Sequence, residues 1–177
     1  YLNVPDGLPS LEAAVQVIQD ENGDLSVSQW VAQIQNILWE TCTYQKDNLE
    51  SVPDGSNVIE DFFGRQRKGY CTHFASAGVM MLRMAGIPAR YVTGYVIWPD
   101  DFKADSASDG YMADVTGYRG HAWVEVYNAS QGIWVPVDMT PVDSVQTSNY
   151  LPTQENSGHS ESTDNVSNHY TDSTETI

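Results

Sequence analysis

The sequence predicts an α+β fold in which a cysteine-bearing helix packs on an antiparallel sheet of about three to five strands. Apolar residues in the first half of the chain recur at the three-and-four spacing of amphipathic helices. The second half contains stretches in which apolar and polar residues alternate, as in half-buried strands. Because the two patterns occupy different halves of the chain, the early helices should cover one flank of the sheet.

Length and charge limit the possible functions. The 177 residues are enough for one globular domain with a sizeable core. The formal charge of −16, from 24 acidic and 8 basic residues, argues against nucleic acid or an anionic membrane as a partner. No stretch approaches the roughly 20 apolar residues that span a bilayer. We expect an excised domain of a larger protein, with any membrane contact made by regions outside this fragment.

Helical patterns dominate up to residue 63. A short helix is predicted from Leu11 to Ile18 with Ser10 as its N-cap, in an N-terminal extension that we place at 1–24. Ser28 is predicted to be the N-cap of a longer helix. Residues 57–63 are predicted to form a third, short helix. The longer helix carries an apolar stripe, which predicts core packing: Val27, Trp30, Val31, Ile34, Ile37, Leu38 and Cys42.

The most informative stretch is 69–95. It contains a glycine-led turn carrying Cys71, then an almost wholly apolar helix, which Gly86 and Pro88 should end. Cys71 then lies at the N-terminus of a buried helix, where the helix dipole and unpaired amides favour a thiolate. A cysteine beside an apolar helix is otherwise usually a small core residue.

Charge and the second cysteine bear on that choice. The basic run 65–68 precedes Cys71 and either helps to hold a thiolate or forms a solvated turn. Cys42 should be a buried thiol rather than a disulfide partner, since a bridge would consume the proposed nucleophile.

Strand patterns follow. Residues 91–98 read as a central strand, and the acidic stretch 99–118 as a long loop that binds substrate or acts as a lid. The acids lack an EF-hand spacing, so we expect no metal and no cofactor. In the next strand His121 shares a face with Trp123, and in the last strand Asp138 follows Pro136 on one face.

One cysteine, one histidine and one aspartate in this order are typical of an activated thiol, its base and the group that orients the base. His121 is otherwise a hydrogen-bonded structural histidine, and Asp138 a turn residue that ends a strand. A redox or metal site at Cys71, His73 and His121 is the weaker alternative because the sequence has no CxxC motif.

Four motifs identify a family. They are Gly-Tyr-Cys at 69–71, GIPARYVTGY at 86–95, GHAWVEV at 120–126 and WVPVD at 134–138. Together they resemble the transglutaminase-like family over roughly 27–141, and in particular its bacterial members, which are often displayed outside the cell. The resemblance implies a papain-like fold, a catalytic domain that we place at 25–143, and a catalytic triad of Cys71, His121 and Asp138.

The implied activity is thiol-dependent acyl transfer on peptide or protein amides, by cross-linking or deamidation. A cysteine protease or amidase of the same fold, or a non-catalytic binding scaffold, is the alternative. We expect protein or peptide substrates, a monomer, and an extracellular or cell-surface location, the last from the family resemblance.

Two sets of side chains should complete the site. One oxyanion donor should be the Cys71 backbone N–H. For the side-chain donor Tyr44 is preferred over Trp39 and Gln35, which the sequence does not rank well. Aromatic surface on and beside the 99–118 loop should wall the substrate cleft, from Trp98, Tyr118 and Trp123.

After residue 143 the chain has no Lys or Arg and is rich in Ser, Thr, Asn, Asp and Glu. This composition predicts a polar, acidic tail or linker at 144–177.

Overall fold

The computed structural model describes residues 1–141, and the predicted tail at 144–177 lies outside this described part. Helices are concentrated before residue 85 and a sheet follows, so the structure is the predicted α+β arrangement. The helices are α1 (Pro9–Asn22), α2 (Val27–Thr41), α3 (Val58–Glu60), which continues as a π-helical turn (Asp61–Gln66), and α4 (Cys71–Met84). The strands are β1 (Thr43–Tyr44), β2 (Lys68–Gly69), β3 (Ala89–Tyr95), β4 (Lys103–Asp105), β5 (Gly110–Met112), β6 (Gly120–Asn128) and β7 (Ile133–Val137).

Helix α4 occupies the centre of the core. Eight of its 14 residues are buried, and it packs against α1, α2 and the sheet strand β6. Gly86, with φ of 78°, ends the helix in the left-handed region as the sequence predicts. A helix that is apolar on nearly all sides is stable only when protein surrounds it, so α4 fixes where the other layers must lie.

The caps of the first two helices differ from the sequence prediction. Helix α1 begins at Pro9 and runs to Asn22, so Ser10 lies inside it rather than at its cap. Its predicted apolar face is buried in the same core as α4. Ser26, not Ser28, caps α2, and Gln29 completes a capping box with it. Ser26 and Ser28 both fit the preference for serine at an N-cap, so the sequence pattern did not distinguish them.

Three antiparallel strands form the main sheet in the order β3–β6–β7. Ala122, Val124 and Val126 are buried beneath it and pack toward α4. Strand β3 was predicted to be central, but within the described residues it forms one edge and β6 is the central strand. Apolar residues on both faces of β3 misled the sequence interpretation, since Tyr91 and Tyr95 are exposed.

The 99–118 segment is more ordered than a plain loop. It contains a 3₁₀ turn (Pro99–Asp101), the β4–β5 hairpin and a second 3₁₀ turn (Gly117–Arg119). An ion pair between Arg119 and Asp101 ties the start of the segment to its end. Within residues 1–141, no helix has the length and apolar character needed to cross a membrane.

Candidate active site

Cys71 is the first residue of α4 and follows the short parallel pair formed by β1 and β2. Gly69 is required in this turn because an added Cβ would lie 2.7 Å from the His73 ring and 2.8 Å from Phe62. His73 Nδ1 accepts a hydrogen bond from the Tyr70 N–H at 3.2 Å. The turn before Cys71 is therefore held by its own helix, which fixes where the thiol projects.

His121 and Asp138 meet through the register of the sheet. Val124 lies opposite Val137, so continuing the ladder places Asp138 opposite Trp123 and diagonal to His121 on the same face. His121 Nε2 and Asp138 Oδ2 are 2.6 Å apart. The Asp138 carboxylate also accepts the Thr140 N–H at 2.9 Å through Oδ1, so the same residue orients the histidine and ends the strand.

The Cys71 thiol is buried, at 9% exposure, and lies close enough to His121 for the histidine to change its pKa. Because Asp138 occupies Nε2, the imidazole presents Nδ1 to the sulfur. Burial raises the pKa of Cys71, but hydrogen bonds from His121 and from the Ala122 and Thr72 backbone outweigh it. The pKa of the Cys71 thiol consequently lies below its ordinary value of 9.0.

The pKa shifts of His121 and Asp138 favour charges that complement a Cys71 thiolate. Hydrogen bonds to Asp138 and Cys71 raise the pKa of His121 to about 9, against the opposing effect of burial. Burial works to raise the pKa of Asp138, but the His121 and Thr140 hydrogen bonds lower it below the usual 3.8. These shifts together favour a thiolate, an imidazolium and a carboxylate over the neutral forms of the three groups.

Two side chains of α2 hold the Asp138 segment from the other side. Gln35 Nε2 donates to the Asp138 carbonyl at 2.8 Å, and Trp39 Nε1 donates to the Met139 carbonyl at 2.9 Å. Met139 is fully buried and lies against Gly78, where an added Cβ would be 2.6 Å from its Cγ. The sequence offered Gln35 and Trp39 as oxyanion donors, but their side-chain N–H groups are used to fix the backbone around Asp138.

Tyr44, the preferred oxyanion candidate, lies in β1 opposite Gly69, and its ring stacks on Phe74 with centroids 6.3 Å apart. It does not line the cavity at Cys71. The oxyanion role of Tyr44 stays a prediction.

A cavity of about 540 Å³ opens onto Cys71. Nine residues from the turn after β1, the start of α4 and the paired ends of β3 and β6 line it: Lys46, Tyr70, Cys71, Thr72, Thr93, Gly94, Gly120, His121 and Ala122.

The sequence interpretation named Cys71 and His121 as site residues and missed the other seven lining residues, which are Lys46, Tyr70, Thr72, Thr93, Gly94, Gly120 and Ala122. Glycines inside strand patterns were the available signal, since they often mark a close approach of another group. At Gly94 an added Cβ would lie 2.7 Å from the Trp123 indole.

The predicted aromatic wall is only partly at this cavity. Trp123 lies beside it, with its ring stacked on His121 at a centroid distance of 6.4 Å. Trp98 and Tyr118 do not line the cavity, and their exposed fractions are 38% and 87%. Their predicted contact with substrate stays a prediction.

The basic run before Cys71 does not act on the thiol. Arg65 forms ion pairs with Asp61 and Glu50, and the charge of Arg67 lowers the pKa of Cys42 rather than that of Cys71. His121 is the cation at Cys71, so the solvated-turn interpretation of the run is the better one. Among residues 1–141, no three side chains of His, Cys, Asp or Glu gather as a metal site would require.

Comparisons with known proteins show the family of this chain. The family model described as "Transglutaminase-like superfamily" matches residues 12–139. A protein of Bacillus subtilis (strain 168), "Uncharacterized protein YebA", is 33% identical over 143 residues, which are 79% of this chain and 19% of the relative. A "Protein-glutamine gamma-glutamyltransferase" of Pseudomonas aeruginosa PAO1 is 38% identical over 92 residues, which are 52% of this chain and 13% of the relative.

A solved structure extends the similarity to the fold. The crystal structure of the periplasmic domain of TgpA from Pseudomonas aeruginosa matches with a TM-score of 0.60 at 30% identity, covering 78% of this chain and 44% of that one. The chain spans less than a fifth of the length of the two curated relatives, at 19% and 13%. Since the family model covers 12–139, including every residue of the Cys71–His121–Asp138 arrangement, the chain belongs to the transglutaminase-like superfamily.

Proposed function

We propose that this chain is a thiol-dependent acyltransferase that acts on peptide or protein amides, by transglutaminase-type cross-linking or deamidation. The observation that supports this best is the His121–Asp138 hydrogen bond of 2.6 Å, with Cys71 and His121 lining the same open cavity. A structural histidine would need neither a thiolate partner nor access to solvent. Catalysis needs both.

In the proposed reaction the Cys71 thiolate attacks the amide carbonyl carbon, and the carbonyl π electrons move to oxygen. When the tetrahedral intermediate collapses, His121 Nδ1–H protonates the departing nitrogen, which leaves as ammonia or an amine. The carbonyl carbon remains on sulfur as a thioester. Water or a primary amine then attacks the thioester, with neutral His121 accepting the proton of the nucleophile.

The developing oxyanion needs hydrogen-bond donors. The Cys71 N–H lies at the first position of α4, where helix geometry provides no intrahelical acceptor. No residue of the described chain accepts a hydrogen bond from it. This N–H and the positive end of the α4 dipole are therefore the proposed first donor.

Similar proteins suggest the substrate class and the location. One relative is named a protein-glutamine gamma-glutamyltransferase, which makes a glutamine side-chain amide our proposed acyl donor. The similar solved structure is described as a periplasmic domain, so we propose that this domain works outside the cytoplasm. We also propose that it acts as a monomer on peptide or protein substrates.

Hydrolysis is the second candidate, and the cavity supplies the observation that favours it. Acidic residues near the site would attract a lysine amine for cross-linking, but no Asp or Glu of the described chain lines the cavity. Lys46 is the charged lining residue besides the Cys71–His121 pair. Its ammonium would repel a cationic acceptor amine, which leaves water as the competing nucleophile.

The two candidates are separated by incubating the protein with a glutamine-rich protein and a labelled primary amine. Cys71-dependent incorporation of the label, absent from Cys71→Ala, supports the acyltransferase. Ammonia release without incorporation supports deamidation, the other form of the proposed acyl transfer, and new chain termini without incorporation support proteolysis. No Cys71-dependent product over a broad substrate panel would overturn the proposal in favour of a non-catalytic scaffold.

A further inference from the structure

The two edges of the β3–β6–β7 sheet carry different hydrogen-bonding groups. Two backbone bonds fix the parity of the β3–β6 ladder: Tyr127 N–H to the Pro88 carbonyl and Val96 N–H to the Arg119 carbonyl. Even-numbered residues of β3 therefore bond to β6, and odd-numbered residues direct their N–H and C=O away from the sheet.

Within residues 1–141, the outer edge of β3 is covered only at its beginning. Ala89 N–H donates to the Tyr1 carbonyl, and the Ala89 carbonyl accepts from Arg83. Beyond that point the outward groups belong to Tyr91, Thr93 and Tyr95, and none of them is bonded to any residue of 1–141. A row of unpaired backbone groups is a template for another strand.

The opposite edge is protected against such pairing. By the same alternation, odd-numbered residues of β6 bond to β3 and its even-numbered residues to β7, so the backbone groups of Trp134, Pro136 and Asp138 point outward from β7. Proline has no N–H to offer to an added strand. The Asp138 carbonyl is already bonded to Gln35. Within residues 1–141, Pro136 and the Gln35 contact therefore interrupt the β7 edge, whereas the β3 edge is uninterrupted from Tyr91 to Tyr95.

The open edge leads into the cavity. Thr93, at the middle of the unpaired row, lines the cavity together with Cys71 and His121. Tyr91 and Tyr95 flank it, with 39% and 60% of their surface exposed, and offer apolar contact on both sides. Strand β7 supplies Asp138 on one side of β6, so the β3 side is left for the substrate.

We propose that the acyl-donor polypeptide binds as an added strand on the Tyr91–Tyr95 edge, which delivers its reactive amide to Cys71. This inference rests on the proposed function and narrows its substrate to extended or locally unfolded chains. Main-chain hydrogen bonds would supply affinity without demanding a sequence. The chain's own Tyr1 already occupies the same edge in this manner at Ala89.

The first test is Thr93→Pro, with Thr93→Val as the matched control. Proline removes the outward N–H of residue 93, which β6 does not use, whereas valine keeps that N–H and changes only the side chain. KM for dimethylated casein should rise about tenfold in Thr93→Pro, the scale of one or two lost hydrogen bonds, with kcat within about twofold. Thr93→Val, which keeps the N–H, should raise KM much less than Thr93→Pro does. Equal defects in both variants, or in neither, would overturn the proposal.

A second measurement remains decisive if Thr93→Pro does not fold. Wild-type protein is assayed with two forms of one glutamine peptide. Each form carries a single backbone N-methyl group, and the two methylated positions are adjacent in the peptide. Only alternate N–H groups of an added strand face β3. The KM of one methylated form should therefore be raised about tenfold, and the KM of the other should hardly change. Equal effects of the two methylations would contradict strand addition.

Failure of the proposed function is distinguishable. A capped glutaminyl-glycine dipeptide is too short to occupy the edge, so its turnover by the wild type tests the proposed function without strand addition. If the wild type turns over neither casein nor the dipeptide, the proposed function fails and this inference fails with it. Dipeptide turnover with an unchanged casein KM in a folded Thr93→Pro overturns the inference alone.

Discussion

Cys42 and Cys71 are both buried, unpaired thiols, with exposed fractions of 4% and 9%, yet their surroundings move their pKa values in opposite directions. Burial raises the pKa of Cys42 to about 12, with only a partial opposing effect from the Arg67 charge. Burial acts in the same direction on Cys71, but His121 and the backbone N–H groups around the sulfur lower its pKa overall.

Position on a helix accounts for part of this difference. Cys42 caps the C-terminal end of α2, where the helix dipole is negative, and Cys71 begins α4, where it is positive. The remainder comes from His121, a cation that only the β6 strand can bring to Cys71. Burial alone makes a thiol inert, and a directed set of donors makes an equally buried one reactive.

The largest expected effect comes from exchanging the nucleophile. Cys71→Ala should lower amide turnover on the order of 10⁶-fold, the scale seen when the nucleophile of an analogous triad is removed. Cys42→Ala should retain activity. The check is amine incorporation or ammonia release by both variants after their melting curves have been matched. Residual activity in Cys71→Ala that is lost in Cys42→Ala would reverse the roles of the two thiols.

Asp138→Asn should lower kcat on the order of 10⁴-fold while the fold persists, since an amide cannot stabilise the imidazolium or fix its tautomer. Losing the carboxylate also removes the main cause of the raised His121 pKa. The pKa of the Cys71 thiol should therefore rise, while the pKa of Cys42 should not change. Kinetics and thermal melting are measured together. Full turnover in a normally folded variant would leave Asp138 as a strand-ending residue only.

A smaller effect is expected from Trp39→Phe, which removes the N–H that donates to the Met139 carbonyl beside Asp138. One lost hydrogen bond should cost about 1 kcal/mol of stability, and a loosened Asp138 up to about tenfold in kcat. Tyr111→Phe, at a 77% exposed position, is the control and should change neither. Urea denaturation and steady-state kinetics on both proteins test this, and unaltered kcat in Trp39→Phe would remove its positioning role.

The smallest change in activity is expected from Cys42→Ser. A hydroxyl in place of a buried thiol should cost about 1–3 kcal/mol of stability if it finds no hydrogen-bond partner. Activity per folded molecule should not change, because Cys42 lines no part of the cavity. The expected result is that Cys42→Ser loses turnover only under conditions in which it unfolds.

The sequence predicted the parts of the site that lie at element boundaries. Cys71 begins a helix, His121 is near the start of a strand and Asp138 directly follows one, so local pattern and chemistry point to the same residues. The family motifs contain all three. The α+β class followed from the separation of helical and strand patterns along the chain.

What the sequence missed depends on tertiary packing. Gln35 and Trp39 contact the Asp138 segment across about a hundred residues, and no local pattern reports such a pairing. Whether β3 is central or an edge depends on strand order, which its apolar residues do not encode. Lys46 and Thr93 line the cavity because separate turns and strands converge there.

The pH dependence of catalysis follows from the two shifted groups that form the ion pair. Activity should rise as Cys71 ionises, at a pH below the ordinary thiol value of 9.0, and fall as His121 loses its proton near pH 9. A plateau between these two limits is the behaviour expected of a thiolate–imidazolium pair.

The most direct measurement is the iodoacetamide alkylation rate of both cysteines in one sample of native protein, followed by peptide mass spectrometry across pH 4 to 10. Cys71 should be labelled first, with an apparent pKa of labelling below 9.0, whereas Cys42, with its pKa of about 12, should stay unlabelled in the folded protein. Faster labelling of Cys42, or a Cys71 rate that still climbs through pH 9.0 like an ordinary thiol, would contradict a Cys71 thiolate held by His121.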